Sequence, residues 1–471
     1  MKPKFFLFLL VGLLTAVGMS AQPRAKYVFY FIGDGMGVNQ VNGAETYLAA
    51  LNGRIGIEPL CFPSFPHAAL VNTYSATNGV TDSAAGGTAL ATGSKTKNGA
   101  LGMLADLTTP VTSIAVWARQ AGAAVGVSTS VSVDHATPGA FYAHQPSRNL
   151  YYEIGRDLVR SDFDFFAGSD FLQPLGEDGN APSSLYEQCA DAGFTIARGF
   201  SDYMKKAKTA DKIILLQTEE ASKRQNYAIP YALDRTSADL TLSEITAAGI
   251  DFLVSKSANG FFLMVEGGKI DWACHNNDAA TAFCELIDMD KAIRVAYAFY
   301  EQHPDETLIV VSADHETGGI VLGRGPYELH TDLLAYQKMS LDAYTAHLKD
   351  LQSSSEEPFT WELVKADLAE NWGFGNGVEI SQEQETRLRE AFEKLVSGQG
   401  EDKQTLYSSI DELADTAREI MAECALIGWQ STGHSNGYVP VFAVGVGAEQ
   451  FHGRIDNVEI PIKIAKAAGW K

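Results

Sequence analysis

Cysteine is sparse in this chain: Cys61, Cys189, Cys274, Cys284 and Cys424 are the only five in 471 residues, and no two form a Cys-x-x-Cys pair. That spacing excludes a thiolate metal cluster and a disulfide-framework domain, and an odd count leaves at least one thiol without a partner in the chain. Basic residues are also few. Lys and Arg total 36 against 58 Asp and Glu, a formal charge of −22. Nucleic acid is thereby excluded as the main partner, because binding a phosphate backbone needs a basic face. The acidic excess suits a solvated surface, and also a protein that gathers divalent cations. There is no low-complexity tract and no internal repeat. Long apolar runs are missing beyond the N-terminus. There, "MKPKFFLFLLVGLLTAVGMSAQ" has a basic start (Lys2, Lys4), an apolar run from Phe5 to about Val17, and then small residues. This pattern predicts a signal peptide over residues 1–21, cleaved near Ala21-Gln22, and an exported chain with no membrane span after cleavage, periplasmic or extracellular.

What the sequence does contain is alternation. "KYVFYFIG", "AALVNTY", "AVGVSTS", "GFFLMVEG", "TLIVVSAD" and "VPVFAVGVG" read as buried strands, with helical spacing between most of them. From Asp278 to Gln302, Phe283, Leu286, Ile287, Ile293, Ala296, Tyr297 and Tyr300 recur at three- and four-residue steps. Strand and helix in alternation predict an α/β fold: a mostly parallel central sheet covered by helices on both faces, a three-layer sandwich. Residues 327–430 differ, being rich in Leu, Ala, Glu, Lys and Asp with little strand character. They are expected to form a helical insertion in a catalytic domain spanning 22–471, shaping access without supplying a catalytic group.

The polar residues gather where strands end. "FIGDGMG" presents Asp34; "MVEGGKIDWACH" presents Glu266, Asp271 and His275; "VVSADHETGG" presents Asp314 and His315. Ligands of open α/β sheets bind beyond the carboxyl ends of strands, so these side chains should converge. Imidazole with carboxylate suits zinc, and all-oxygen sets suit magnesium. Asp271 and His275 would share one face of a helical turn. "STGHSNGYVP" adds His434 before the last expected strand, and "SVDHATPGAFYAHQPSR" adds Asp134, His135, Thr137, His144 and Arg148. Arg148 is the candidate for bidentate recognition of phosphate or another oxyanion. In "VTDSAAGGTALATG", Thr81 and Asp82 are N-cap types, and Ser83 opens a run of very small residues. A serine at a helix N-terminus faces any bound anion, and metal coordination is a recognised route to activating it. The small residues would then leave room for ions and an oxyanion.

Together these motifs, in this order, resemble the alkaline phosphatases. The resemblance covers about 27–323 and again from about 431 onward, carried by "GDGMG", "VTDSAAGGTALATGSKTKNGALG", "DHATPGAFYAH", "EGGKIDWACH", "SADHETGG" and "TGHSNGYVP". It implies a metal-dependent phosphomonoesterase working at alkaline pH on small phosphate monoesters, with two zinc ions and one magnesium ion. By this resemblance Ser83 is the nucleophile that becomes phosphorylated. Asp271, His275 and His434 hold the first zinc, and Asp34, Asp314 and His315 hold the second, with Ser83 bound there. Asp34, Thr137 and Glu266 form the third site. Arg148 grips phosphate and Asp82 orients it. Residues 327–430 match the family's crown-like insertion in position, and a homodimer is an expected assembly. Two positions depart. His135 stands where the best-known bacterial relative has Asp, although mammalian relatives have His there, and Trp272 replaces a lysine or histidine of those relatives. The alternatives are a diesterase or sulfatase of the same superfamily, or a silent metal- or phosphate-binding protein. Ser83 is followed by Ala-Ala-Gly-Gly and not by a sulfatase-type modification motif, and a silent protein would lack one of the residues named, all of which are present.

Overall fold

The computed structural model describes residues 24–224, 228–354 and 358–471; the expected signal peptide over 1–21 lies outside the described residues. The expected sheet is present and larger than the six anticipated strands. Eight strands, β1 (Tyr27–Gly33), β2 (His67–Asn72), β3 (Ala124–Thr129), β4 (Phe165–Gly168), β5 (Phe194–Arg198), β6 (Lys212–Leu216), β7 (Phe261–Gly267) and β8 (Thr307–Ser312), join Val439–Gly445 and Gly453–Asp456 in one ten-stranded sheet. From one edge the order is Gly453–Asp456, β2, Val439–Gly445, β8, β1, β7, β3, β4, β6, β5. Val439–Gly445 runs antiparallel to both neighbours, and every other pairing is parallel. The strands that sequence pattern missed, β4 to β6 and Gly453–Asp456, are four or five residues long, too short for periodicity to mark them.

Helices cover both faces, so the central strands are buried on both sides and need apolar residues throughout. In β1, β7 and β8 every residue is buried, including Phe29, Phe31, Phe262 and Val310. Register then aligns their ends: Ile32 lies opposite Glu266 on one side and Ser312 on the other, and Thr129 of β3 lies opposite Glu266. The helix Ala279–Gln302 follows the predicted spacing closely and is capped by Asp278, whose side chain accepts from Thr281 N.

Residues 327–430 contain the helices Leu341–Ser354, Trp361–Asn371, Gln382–Ser397 and Glu412–Cys424, and a hairpin of two short strands, Lys403–Gln404 and Ser409–Ile410. All five cysteines are unpaired thiols. Among the described residues no helix is long and apolar enough to cross a membrane.

Candidate active site and metal centre

The helix Ser83–Thr92 begins at Ser83, with Asp82 as N-cap accepting from Ala85 N at 3.0 Å. All ten of its residues are buried. Its glycines mark close approach. A Cβ on Gly86 would lie 3.0 Å from the Asp314 carbonyl oxygen, and one on Gly87 would lie 3.3 Å from Thr137 Cα. The small-residue run therefore seats Ser83 between two segments that carry candidate ligands.

Around Ser83 the strand ends converge as the motifs suggested. Asp34 follows β1, Glu266 lies in β7, and Asp314 and His315 follow β8. Asp271 and His275 share a face of the helix Lys269–His275, with His275 Nε2 3.2 Å from Asp271 Oδ2. His434 reaches them from a two-residue strand paired antiparallel with Glu316–Thr317, placing Nε2 3.2 Å from His275 Nε2 and 3.6 Å from Asp271 Oδ1. Glu316 pins this pairing by accepting from Ser435 Oγ and, at 2.6 Å, from Gln40 Nε2. His315 Nε2 lies 3.3 Å from Asp34 Oδ1, 3.4 Å from Asp314 Oδ2 and 3.2 Å from Ser83 Oγ. Three groups could each hold a metal ion, with ligand atoms within 4.8 Å of one another: Asp271, His275 and His434; Asp34, Asp314 and His315; Asp34, His135 and Glu266. Thr137 joins the third group through Oγ1, which donates to Asp34 Oδ2 at 3.4 Å.

Hydrogen bonding fixes which nitrogen of each imidazole is bare. A carbonyl oxygen only accepts, so His275 Nδ1, 2.5 Å from Thr432 O, and His434 Nδ1, 2.9 Å from Thr81 O, both carry protons. Thr317 Oγ1 donates to Asp271 Oδ1 at 2.5 Å and so accepts from His315 Nδ1 at 3.2 Å. In the neutral rings all three Nε2 lone pairs face carboxylates or one another. That arrangement is repulsive by itself and attractive around a cation, and it matches the ligand tautomer set by an acceptor on the other nitrogen. The carboxylates agree. Among the described residues, one oxygen each of Asp34, Glu266, Asp271 and Asp314 is buried without a hydrogen-bond donor. Four orphaned carboxylate oxygens in one pocket fit a site for metal cations.

The same crowding moves the proton equilibria. Burial, reinforced by neighbouring carboxylates, holds Asp34 and Asp314 well above the usual carboxylate range, and burial pushes Glu266 up to about 7. Burial would also raise Asp271, but His275, His434 and His315 beside it hold it below that range. Burial, with His434 alongside, lowers His315.

Arg148 stands at the edge of this cluster. Its Nη1 donates to Asp82 Oδ2 at 3.3 Å, and its Nη2 donates to His135 Nε2 at 3.3 Å and to Tyr407 Oη at 3.2 Å. Asp82 also accepts from Gly99 N at 3.0 Å, so one carboxylate caps the Ser83 helix and anchors the arginine. Burial and the Arg148 charge lower His135 to about 3. Trp272 is buried and stacks on Tyr407, with centroids 4.4 Å apart at 15°. Asp134 and His144, noted in the same motif, face elsewhere: Asp134 accepts from Leu172 N, and His144 Nδ1 meets Gly102 O. Sequence reasoning missed Thr317, although its motif was recognised, and Tyr407, which comes from the segment expected to supply no group here. A cleft of about 520 Å³, lined by Asn78, Thr81, Asp82, Asn98 and His434 among others, opens beside the cluster.

A hydroxyl buried among ligand-ready carboxylates and imidazoles defines the broad class, a metal-dependent hydrolase. The alkaline phosphatase family model matches residues 25–161 and 224–470, and the chain belongs to that family of phosphomonoesterases. It is 29% identical over 454 residues to alkaline phosphatase 3 of Bacillus subtilis (strain 168), covering 95% of this chain and 89% of that one. Among solved structures, the cold-active alkaline phosphatase from a psychrophilic Shewanella sp. is 30% identical with a TM-score of 0.78, covering 94% of this chain and 99% of its own. A His-to-Asp variant of the TAB5 alkaline phosphatase, with Mg bound in its M3 site, is 26% identical with a TM-score of 0.65, covering 96% and 99%.

Proposed function

We propose that this protein is an exported phosphomonoesterase that works through a phosphoserine on Ser83, with two zinc ions and one magnesium ion. The observation that carries the reading is Ser83 Oγ, buried 3.2 Å from His315 Nε2, among four carboxylate oxygens that lack a donor. On this reading Asp271, His275 and His434 hold one zinc, and Asp34, Asp314 and His315 hold the other. Asp34, Thr137 and Glu266 hold magnesium, a reading supported by their all-oxygen ligand set. Bound there, the metals would lower the pKa of the attacking oxygen and neutralise charge on the transferring phosphoryl group.

The chain's own groups do the rest. Arg148 holds two phosphate oxygens, and Asp82 keeps the guanidinium in place. Ser83 Oγ attacks phosphorus from the N-terminus of its helix, where backbone N–H groups favour the anion. The ester P–O bond breaks, the alcohol leaves carrying a proton, and phosphoserine remains. Water then attacks the same phosphorus, releasing inorganic phosphate and restoring the serine hydroxyl. The cleft beside Asp82 and His434 is the place for the leaving group; its open lining of mixed polar and apolar residues suits many alcohols. Export rests on the pattern of residues 1–21, the helical insertion at 327–430 on its composition and its position between β8 and Val439–Gly445, and the homodimer on family habit.

The deciding experiment compares hydrolysis of an aryl phosphate monoester and the matching diester at alkaline pH, before and after chelation and with zinc and magnesium restored. Monoester turnover that disappears with chelator and returns with zinc is expected. Preference for the diester would overturn the monoesterase reading, and zinc binding without turnover of either would indicate a silent binding protein.

A further inference from the structure

Tyr407 belongs to the turn between Lys403–Gln404 and Ser409–Ile410, inside the mostly helical segment 327–430. It is 259 residues from Arg148 in the chain, yet its phenol oxygen accepts an N–H from Arg148 Nη2. The turn is tied to the helix that carries Asp271 and His275. Thr405 Oγ1 donates to Asn276 Oδ1 at 2.9 Å, Asn276 is that helix's C-cap, and Asn276 Nδ2 donates to Asp342 Oδ2 at 3.2 Å. The Tyr407 ring is fixed as well. It stacks on Trp272 and meets the edges of His275 at 5.6 Å and His135 at 5.9 Å between centroids. The phenol oxygen is therefore a rigid acceptor and not a mobile one.

The guanidinium needs such an acceptor. Arg148 lies in a loop, and an unanchored arginine samples many rotamers that each lose the phosphate. Asp82 takes a proton of Nη1. His135 and Tyr407 take one each from Nη2. Three acceptors from three separate segments set both the position and the plane of the fork, which a planar bidentate contact requires.

We propose that Tyr407 is a positioning residue for Arg148, through which the segment 327–430 sets the affinity for phosphate. The proposal rests on the phosphomonoesterase reading above, with Arg148 as the group that meets phosphate. It assigns the segment a contribution to the site itself, beyond shaping access.

The test uses Tyr407→Phe, which removes the hydroxyl and keeps the stack on Trp272. It is measured in the full chain beside wild type, Arg148→Ala and the double variant. The readouts are kcat and KM for an aryl phosphate monoester and the inhibition constant for inorganic phosphate. Tyr407→Phe is expected to raise KM and the phosphate inhibition constant about threefold to tenfold, the scale of one hydrogen bond. Because ground state and transition state lose the same contact, kcat should change less than about twofold. In the Arg148→Ala background the same substitution should change neither constant, since there is no guanidinium left to position. An unchanged inhibition constant in Tyr407→Phe, or an equal effect with and without Arg148, overturns the proposal. If wild type hydrolyses no phosphate monoester, the functional reading itself fails and the proposal falls with it.

Discussion

Four imidazoles lie among the candidate metal-ligand groups near Ser83, and they divide into two kinds. His275, His315 and His434 each give Nδ1–H to an oxygen and turn a bare Nε2 toward carboxylates. His135 is just as buried, but its Nε2 accepts from Arg148. A nitrogen that accepts from a guanidinium has spent its lone pair, and in the neutral ring the proton must then sit on Nδ1, which has no partner among the described residues. His135 lies within reach of the Asp34 and Glu266 oxygens, but it can ligate a metal with them only by giving up the contact with Arg148. Burial and residue type are shared by the two kinds; what differs is the partner of the second nitrogen. That partner decides whether a histidine beside carboxylates is prepared to bind a cation or to hold an arginine.

The largest effects should come from the first kind and the serine beside it. Ser83→Ala is expected to cut turnover by at least about a thousandfold while leaving the metal content unchanged. His315→Ala should match that loss in turnover and also lower the metal content, and His434→Ala should release metal from the group with Asp271. His135→Ala should instead raise KM with little loss of metal. Elemental analysis beside kinetics separates these outcomes, and equal metal loss in His135→Ala would erase the division.

Removing the metals should expose the carboxylates next. Asp34, Asp314 and Glu266 all have raised pKa values, chiefly from burial. The metal-free folded protein thus holds protons that the unfolded chain has released. Stability from Glu266 is fully present below its ordinary pKa near 4.5 and is lost as pH rises through about 7, a contribution of ~3 kcal/mol. Metal replaces those protons, so it should offset the loss. The gap in melting temperature between metal-loaded and chelated protein should widen on going from acid to mildly alkaline pH, by on the order of 5 °C. Differential scanning calorimetry checks this, and a gap independent of pH would show that these carboxylates are not what the cations neutralise.

Much of this site was legible in the sequence because its chemistry is written in short contiguous motifs at the ends of strongly apolar strands. Asp34, Glu266, Asp314 and His315 needed only the rule that ligands gather beyond strand carboxyl ends. Asp271 and His275 needed only helical spacing. The run after Ser83 was legible as tight packing, although its neighbours, Asp314 and Thr137, were not. Tautomers were hidden, since they depend on Thr432, Thr81 and Thr317, whose placement is tertiary. Tyr407 was hidden for the same reason: "QTLYSSI" has no period and no chemistry-bearing neighbour, and only the docking of its turn on Asn276 brings it to Arg148. The strands β4 to β6 at one end of the sheet were missed for want of length, which left the sheet's width unread but not the position of the site.

The smallest expected effect is also the sharpest test of the comparison. His135→Asp replaces a ring whose lone pair serves Arg148 with two carboxylate oxygens, so one can still accept from the guanidinium while the other turns toward Asp34 and Glu266. Magnesium prefers oxygen ligands and is bound reluctantly by nitrogen. Magnesium affinity, read from reactivation of chelated protein at fixed zinc, should rise about tenfold, the scale of one added carboxylate ligand. Zinc content should stay the same, because none of the bare Nε2 atoms is touched. The phosphate inhibition constant should move by less than about twofold, because Asp82 and Tyr407 still hold Arg148 and the new carboxylate takes over the third contact. Unchanged magnesium affinity would mean that His135 already serves that group through nitrogen, and the division between the two kinds of histidine would be lost. A large rise in the phosphate constant would mean instead that the imidazole positions Arg148 in a way a carboxylate does not.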